Sequence, residues 1–261
     1  MEEESGSMAG KLDRGSTPSN AEKLFGRDSA VFSPSRETLW ALRDWGTAWV
    51  RSAAVGARRA LDRAPNASAP ATKPSRKPVA VLLPGVWENW EVLSSWGRAL
   101  SAVGFDVRFV PALDLQLGSI KALSQVLADF LATNELENAL VVAHSKGGLV
   151  AKKAMGDSEG WRVRRLISCG TPFEGAPIAA LSPKLLRMRS LVPQDPEIRE
   201  LGASTQPNKR IVAVEAKWDQ NVPRTTSLPG GKVVTANVRG HHSLLHAPEA
   251  LALIVRYALL D

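Results

Sequence analysis

The segment Leu140-Val141-Val142-Ala143-His144-Ser145-Lys146-Gly147-Gly148-Leu149-Val150 carries the residues best arranged for chemistry. An apolar run leads into a small residue, then His-Ser-Lys-Gly-Gly, then a helical pattern. This order sets Ser145 on a sharp strand-to-helix turn, with its hydroxyl raised above the sheet edge. Backbones crowd at such a turn, so the positions two residues either side must be small. Ala143 and Gly147 fill them. The helix N-terminus behind the serine aims N–H groups at developing negative charge. The chemistry would be nucleophilic attack by Ser145, given a base beside it. The plain alternative is a Ser-Gly turn that opens an ordinary helix.

A base must come from His144, His241, His242 or His246. His144 abuts the nucleophile, and its ring should point away from the mouth of the site. His242 and His246 have the i, i+4 spacing of a helical metal pair, yet no nearby acid or third histidine completes a ligand set, so no metal is expected. The one cysteine, Cys169, rules out a disulfide framework, and beside Leu166 and Ile167 it reads as a buried thiol.

These residues need a scaffold. Apolar runs of strand length occur at Val79–Leu83, Phe105–Val110, Ala139–Ala143, Arg165–Cys169, Arg210–Val214 and Lys232–Val238. Helical patterns lie near Glu91–Val103, Ser119–Ala132, Lys146–Met155 and Pro248–Leu260. Strands that alternate with helices, and are themselves continuously apolar, predict an α/β fold with a mostly parallel sheet covered on both faces. Residues 171–207 show no strand signal but carry Leu181, Leu185, Leu186, Met188 and Leu191, which suits a lid or pocket wall. Ahead of the sheet, residues 1–35 read as a disordered lead and 64–77 as a Pro-, Ala- and Ser-rich linker. Between them, residues 36–63 repeat Leu39, Leu42, Trp45, Trp49 and Val50 at helical steps, among Arg43, Arg51, Arg58 and Arg59. Gly46 and Gly56 allow a kink or two helices. The stripe is expected to pack on its own domain, with peripheral contact to a membrane or partner as the other use.

From about Pro78 to Asp261 the chain resembles the α/β-hydrolase family, in particular small bacterial lipases and esterases with Ala-His-Ser-x-Gly-Gly at the nucleophile elbow. Ala143 stands where the commoner motif begins with glycine. The resemblance implies a minimal α/β-hydrolase of about six strands with an N-terminal helical appendage. Val238-Arg239-Gly240-His241-His242-Ser243-Leu244-Leu245 is similar to the family's Gly-His-x-x-Leu-Leu ending, which makes His241 the base and His242 the second choice. Val212 to Pro223 resembles the acid loop, which assigns Asp219; Glu174 is the alternative. The chain order Ser145, Asp219, His241 is the family's order. The oxyanion donors implied are the N–H groups of Lys146 and of Val86, or else Trp87, in Leu83-Pro84-Gly85-Val86-Trp87, where Pro84 replaces the usual His. Trp87, Trp90, Phe173 and the leucines of 171–207 have the chemistry to line an acyl pocket, and core packing explains each of them equally.

The implied activity is hydrolysis of small-molecule or lipid acyl esters through an acyl-enzyme, with no cofactor required. Thioester or amide hydrolysis, or acyl transfer, would use the same three residues, and a non-catalytic membrane- or partner-binding protein is the remaining class. Composition is that of an ordinary soluble globular chain large enough for a real core: 261 residues, 44% hydrophobic and 23% charged. No apolar run reaches the ~18 residues of a spanning helix. Met1-Glu2-Glu3-Glu4 is not followed by a signal-peptide core, so a cytoplasmic location is expected. The net charge of +7 favours anionic partners, but the bases are scattered, and no nucleic acid is expected.

Overall fold

Each of the six apolar runs becomes a strand. They are β1 (Val79–Leu83), β2 (Asp106–Phe109), β3 (Ala139–His144), β4 (Val163–Cys169), β5 (Ile211–Trp218) and β6 (Lys232–Arg239). The computed structural model describes residues 35–47, 50, 77–182, 188–222 and 227–260. The expected lead over 1–35 lies outside these residues but for Ser35, and the expected linker over 64–77 but for Lys77. The sheet order is β2-β1-β3-β4-β5-β6, and every neighbouring pair is parallel. The chain leaves β1 for β2 on one side, then crosses to β3 on the other. Ligands of such sheets bind outside the carboxyl ends of the strands at that reversal. β3 is buried at every residue because it sits mid-sheet with helices on both faces.

The helices are α1 (residues 36–47), α2 (Ser94–Ala102), α3 (Ile120–Thr133), α4 (Lys146–Gly156), α5 (Pro196–Ala203) and α6 (Pro248–Leu259). Strand alternation divides the core in two. Val81, Leu83, Val141 and Ala143 face α3, α4 and α5, through Leu127, Leu131, Leu149 and Ile198. Ala80, Leu82, Leu140 and Val142 face α2 and α6, through Trp96, Leu100, Ile254 and Ala258. Helix starts are set by short polar side chains. Ser119 Oγ accepts from Ala122 N at 3.1 Å ahead of α3, and an Asp195 carboxylate oxygen accepts from Glu197 N at 2.9 Å, with Pro196 opening α5.

Three boundaries differ from expectation. The first turn before α2, Trp90–Leu93, is 3-10 rather than α-helical, capped by the Asn89 side chain. β5 runs on to Trp218, so the chain emerges from the sheet directly at Asp219. The N-terminal stripe is split. Leu39 and Leu42 stand 51% and 56% exposed, while Asp44 is 3% exposed and Trp40 packs edge-on against Trp218 at 5.8 Å. Trp49 and residues 51–63 lie outside the described residues. All described residues from Arg36 onward belong to one compact unit. Among them, no helix is long and apolar enough to cross a membrane.

Candidate active site

Ser145 follows the last residue of β3 and adopts φ 50°, ψ −123°, a conformation that costs a non-glycine residue about 1–3 kcal/mol. Its surroundings hold it there. Ser145 N donates to Cys169 O at 2.9 Å, and Thr171 Oγ1 donates to Ser145 O at 2.9 Å. The two glycines after Lys146 let neighbouring chains close in. A Cβ on Gly147 would stand 2.6 Å from Pro84 O, and one on Gly148 would stand 2.0 Å from Thr171 Oγ1.

His241 reaches the serine from the loop after β6. Its Nε2 lies 3.0 Å from Ser145 Oγ, and its Nδ1 lies 2.8 Å from Asp219 Oδ2. Asp219 is steadied in turn, since its Oδ1 accepts from the N–H groups of Asn221 and Val222, each at 2.8 Å. Burial pushes the His241 imidazole below its ordinary value; Asp219 opposes this, and the neighbouring His144 and His242 reinforce it. Burial would raise the Asp219 carboxyl, but the charge and hydrogen bond of His241 and the two backbone donors outweigh it, and the net direction is down. The result is a neutral imidazole between a hydroxyl and a carboxylate, which is the arrangement a general base requires.

A second buried pair lies behind the first. His144 is fully enclosed, so its ring does point away from the mouth. Its Nδ1 meets Glu88 Oε2 at 2.9 Å, and its Nε2 donates to His241 O at 3.3 Å. The rings of His144 and His241 lie 4.8 Å apart. Glu88 Oε2 also accepts from Gly85 N at 2.7 Å. Burial alone would raise the Glu88 carboxyl; the charge and hydrogen bond of His144 hold it instead at about 2. His144 is correspondingly raised, with Glu88 overcoming its burial.

The loop after β1 supplies N–H groups beside the serine. Gly85 N is committed to Glu88 Oε2, Trp87 N to Leu115 O at 2.8 Å, and Glu88 N to Gly85 O at 3.3 Å. Trp87 is thereby removed as an oxyanion donor, and Val86 N remains in this loop. Lys146 N is the first N–H of α4, one that no preceding helical turn satisfies. The Lys146 side chain turns inward, where Nζ donates to Gln116 O at 2.7 Å and Gly118 O at 2.6 Å, and burial pushes its ammonium down to about 8.

Ser145, His241 and Val86 open onto a cavity of about 1190 Å³. Pro172, Ala176, Ile178, Leu181, Met188 and Leu191 from the 171–207 stretch are among its lining; Leu185 and Leu186 lie outside the described residues. α1 supplies more of the lining through Trp40, Arg43, Trp45 and Thr47. Trp87 lines the cavity. Phe173 does not. It is 2% exposed within the core, with the Lys152 ammonium 5.4 Å from its ring. Trp90 also turns away and packs on Phe109 at 4.8 Å. Both rings gain more burial against the domain than a solvent-filled cleft would give them. Glu174 is exposed, whereas Asp219 is buried against His241. His246 is exposed, His242 bonds to Asp44, and no metal-holding group of His, Cys, Asp or Glu occurs among the described residues.

Asp44, Glu88 and Gln220 are the site residues that motif reasoning misses. Glu88 had a usable signal: a histidine at the end of a fully buried strand demands a polar partner. Asp44 had a fainter one in its i, i+4 relation to Trp40 on the same helical face.

No protein-family profile matches the sequence, and no curated protein matches it. Solved structures share its fold. The mature Bacillus licheniformis lipase BlEst2 has a TM-score of 0.58 at 15% identity, over 73% of this chain and 96% of that one. Aspergillus fumigatus lipase B has 0.57 at 20% identity, over 71% and 53% of the two chains. A carboxylesterase of Nitrososphaera gargenis has 0.51 at 13% identity, over 72% and 92%. The fold is that of the α/β-hydrolases.

Proposed function

We propose that this chain is a serine hydrolase that cleaves carboxylic esters through an acyl-enzyme. The observation that carries the reading is the continuous relay from Ser145 Oγ to His241 Nε2 at 3.0 Å and from His241 Nδ1 to Asp219 Oδ2 at 2.8 Å, with Ser145 and His241 lining a cavity. Ser145 Oγ attacks the ester carbonyl carbon as its proton passes to His241 Nε2. The N–H groups of Lys146 and Val86 receive the oxyanion. Collapse breaks the C–O bond, and the departing alkoxide takes the proton from His241. Water then attacks the acyl-serine, gives a proton to His241, and releases the acid as Ser145 is reprotonated. Asp219 holds the imidazole in its working tautomer and stabilises the imidazolium. The chemistry needs no metal or organic cofactor. The aliphatic lining from Ala176, Ile178, Leu181, Met188 and Leu191, with Trp87, suits an acyl chain. The lipases and carboxylesterase that share the fold support the same reaction class.

The test is labelling by a fluorophosphonate with the modified residue mapped, alongside turnover of matched ester, thioester and amide substrates. Labelling at Ser145 is expected, with the ester turned over fastest. Ser145→Ala should lose roughly 10³-fold or more of the ester rate while remaining folded. An unlabelled wild-type chain, or an active Ser145→Ala, removes this reading.

A further inference from the structure

We propose that Asp44, on the N-terminal helix α1, is a positioning residue that fixes the loop bearing His241, so that α1 is part of the catalytic apparatus rather than an appendage to it. The inference rests on the hydrolase reading above and adds a residue from a helix that precedes the sheet in the chain and supplies none of Ser145, Asp219 and His241.

Asp44 is buried, yet both of its carboxylate oxygens are fully engaged. Oδ1 accepts from Ser243 N at 2.8 Å and Ser243 Oγ at 2.7 Å. Oδ2 accepts from His242 N at 2.9 Å and Gln220 Nε2 at 2.7 Å, and lies 3.2 Å from His242 Nδ1. Gln220 passes the restraint on, because its Oε1 accepts from His241 N at 3.1 Å. The three successive N–H groups of residues 241–243 are therefore all tied to Asp44, two directly and one through a single amide. These N–H groups open the 3-10 turn His242–Leu245 and have no helical partner of their own. Ordinarily the preceding residue's side chain caps such a turn, but here the cap comes from another element. His242 is the titratable group facing Asp44. Burial would raise the Asp44 carboxyl, but the bonds from His242, Ser243 and Gln220 hold it well below the usual carboxylate range, so the cap is an anion.

Three features show that the chain is shaped around this contact. Gly240 has φ 114°, and a Cβ there would stand 2.3 Å from Asp44 Oδ1, so any other residue would push the carboxylate off the loop. Trp45 Nε1 donates to Asn221 Oδ1 at 3.2 Å, and the Arg239 guanidinium lies 4.5 Å over the Trp40 ring. α1 thus grips residues 218–221 around Asp219 and residues 239–243 around His241 at once. A histidine displaced by about 1 Å from its serine loses on the order of 10²-fold in rate.

The experiment compares full-length wild type with Asp44→Ala, Asp44→Asn and Gln220→Ala, measuring kcat per fluorophosphonate-titrated Ser145 and KM on a short-chain ester. Titration removes any unfolded fraction, so a residue needed only for stability leaves kcat per titrated serine unchanged. Asp44→Ala is expected to lose roughly 10- to 100-fold in kcat with KM within about threefold of wild type. Asp44→Asn, which keeps the oxygen facing Ser243, should recover part of the loss. Should Asp44→Ala fail to fold, Gln220→Ala breaks the link to His241 N while leaving the cap, and a kcat loss of about fivefold or more is expected. Values for the folded variants within twofold of wild type overturn the proposal. A wild type that is neither active nor labelled at Ser145 instead defeats the hydrolase reading, and this inference falls with it.

Discussion

At the scale of single residues, two neighbouring histidines have opposite environments. His241 is buried between Asp219 and Ser145, while His242 turns to Asp44 with its Nε2 3.9 Å from Glu88 Oε1. We expect His241→Ala to abolish ester turnover, because Ser145 then lacks a base, and His242→Ala to keep at least roughly a tenth of it. Asp219→Asn should cost far more than Glu174→Gln, since Glu174 is exposed and only Asp219 contacts the imidazole. Steady-state rates on one ester, with circular dichroism as the folding check, decide both comparisons, and a reversed order in either would reassign that role. Ser145, Asp219 and His241 were legible because each stands at a strand end within a short local pattern. Asp44 and Glu88 were not. Asp44 meets His242 across 198 positions and Glu88 meets His144 across 56, and no local spacing encodes such contacts. A carboxylate on an amphipathic helix reads as solvated surface until its partner is known.

Among the elements, strands were easier to read than helices or turns. A strand buried on both faces needs a continuous apolar run, and β1 ends where that run does. α1 was harder, because its pattern offers more than one face. Leu39 and Leu42 of the more hydrophobic stripe stay exposed, and Trp40, Asp44 and Trp45 make the interface, since buried hydrogen bonds to the histidine loop outweigh two leucines. The 3-10 turns at Trp90–Leu93 and His242–Leu245 are too short to carry a period. The elbow between β3 and α4 is different, because steric need makes it visible. A Cβ on Gly147 would meet the backbone oxygens of Pro84 and Leu83 at 2.6 and 2.9 Å, and no rotamer change can relieve contact with backbone. Gly147→Ala is therefore expected to lower stability by about 1–3 kcal/mol in urea unfolding and to reduce turnover by parting the β1 loop from Ser145. A variant with wild-type stability and rate would show that the β1 loop and α4 can separate without cost.

Across the whole molecule, the buried pair of Glu88 and His144 ties together the carboxyl ends of three strands. Glu88 stands after β1, His144 closes β3, and the bonded carbonyl of His241 follows β6. Its worth depends on pH. Glu88 ionises at about 2 in the fold against an ordinary 4.5, so the folded chain holds fewer protons there than the unfolded chain. That contribution is complete above pH 4.5 and is lost as pH falls toward 2. His144 is raised above its ordinary 6.5, so its contribution is complete below pH 6.5 and is lost as pH rises through its folded value. The pair therefore stabilises most between pH 4.5 and 6.5. His241 acts in the opposite sense: its value is lowered, so it costs stability as pH drops below 6.5, and the acid limb of kcat/KM should fall below that value. Glu88→Gln keeps an acceptor for Gly85 N but leaves a charged His144 buried without its counter-ion, a loss of about 3 kcal/mol where His144 is protonated. At higher pH the variant escapes the penalty, because His144 can give up its proton. Thermal unfolding of wild type and Glu88→Gln from pH 5 to 9 should show the variant's deficit greatest near the acid end and shrinking as pH rises. A deficit that stays level over that range would mean that the pair acts through hydrogen-bond geometry alone and that the charge on His144 contributes nothing.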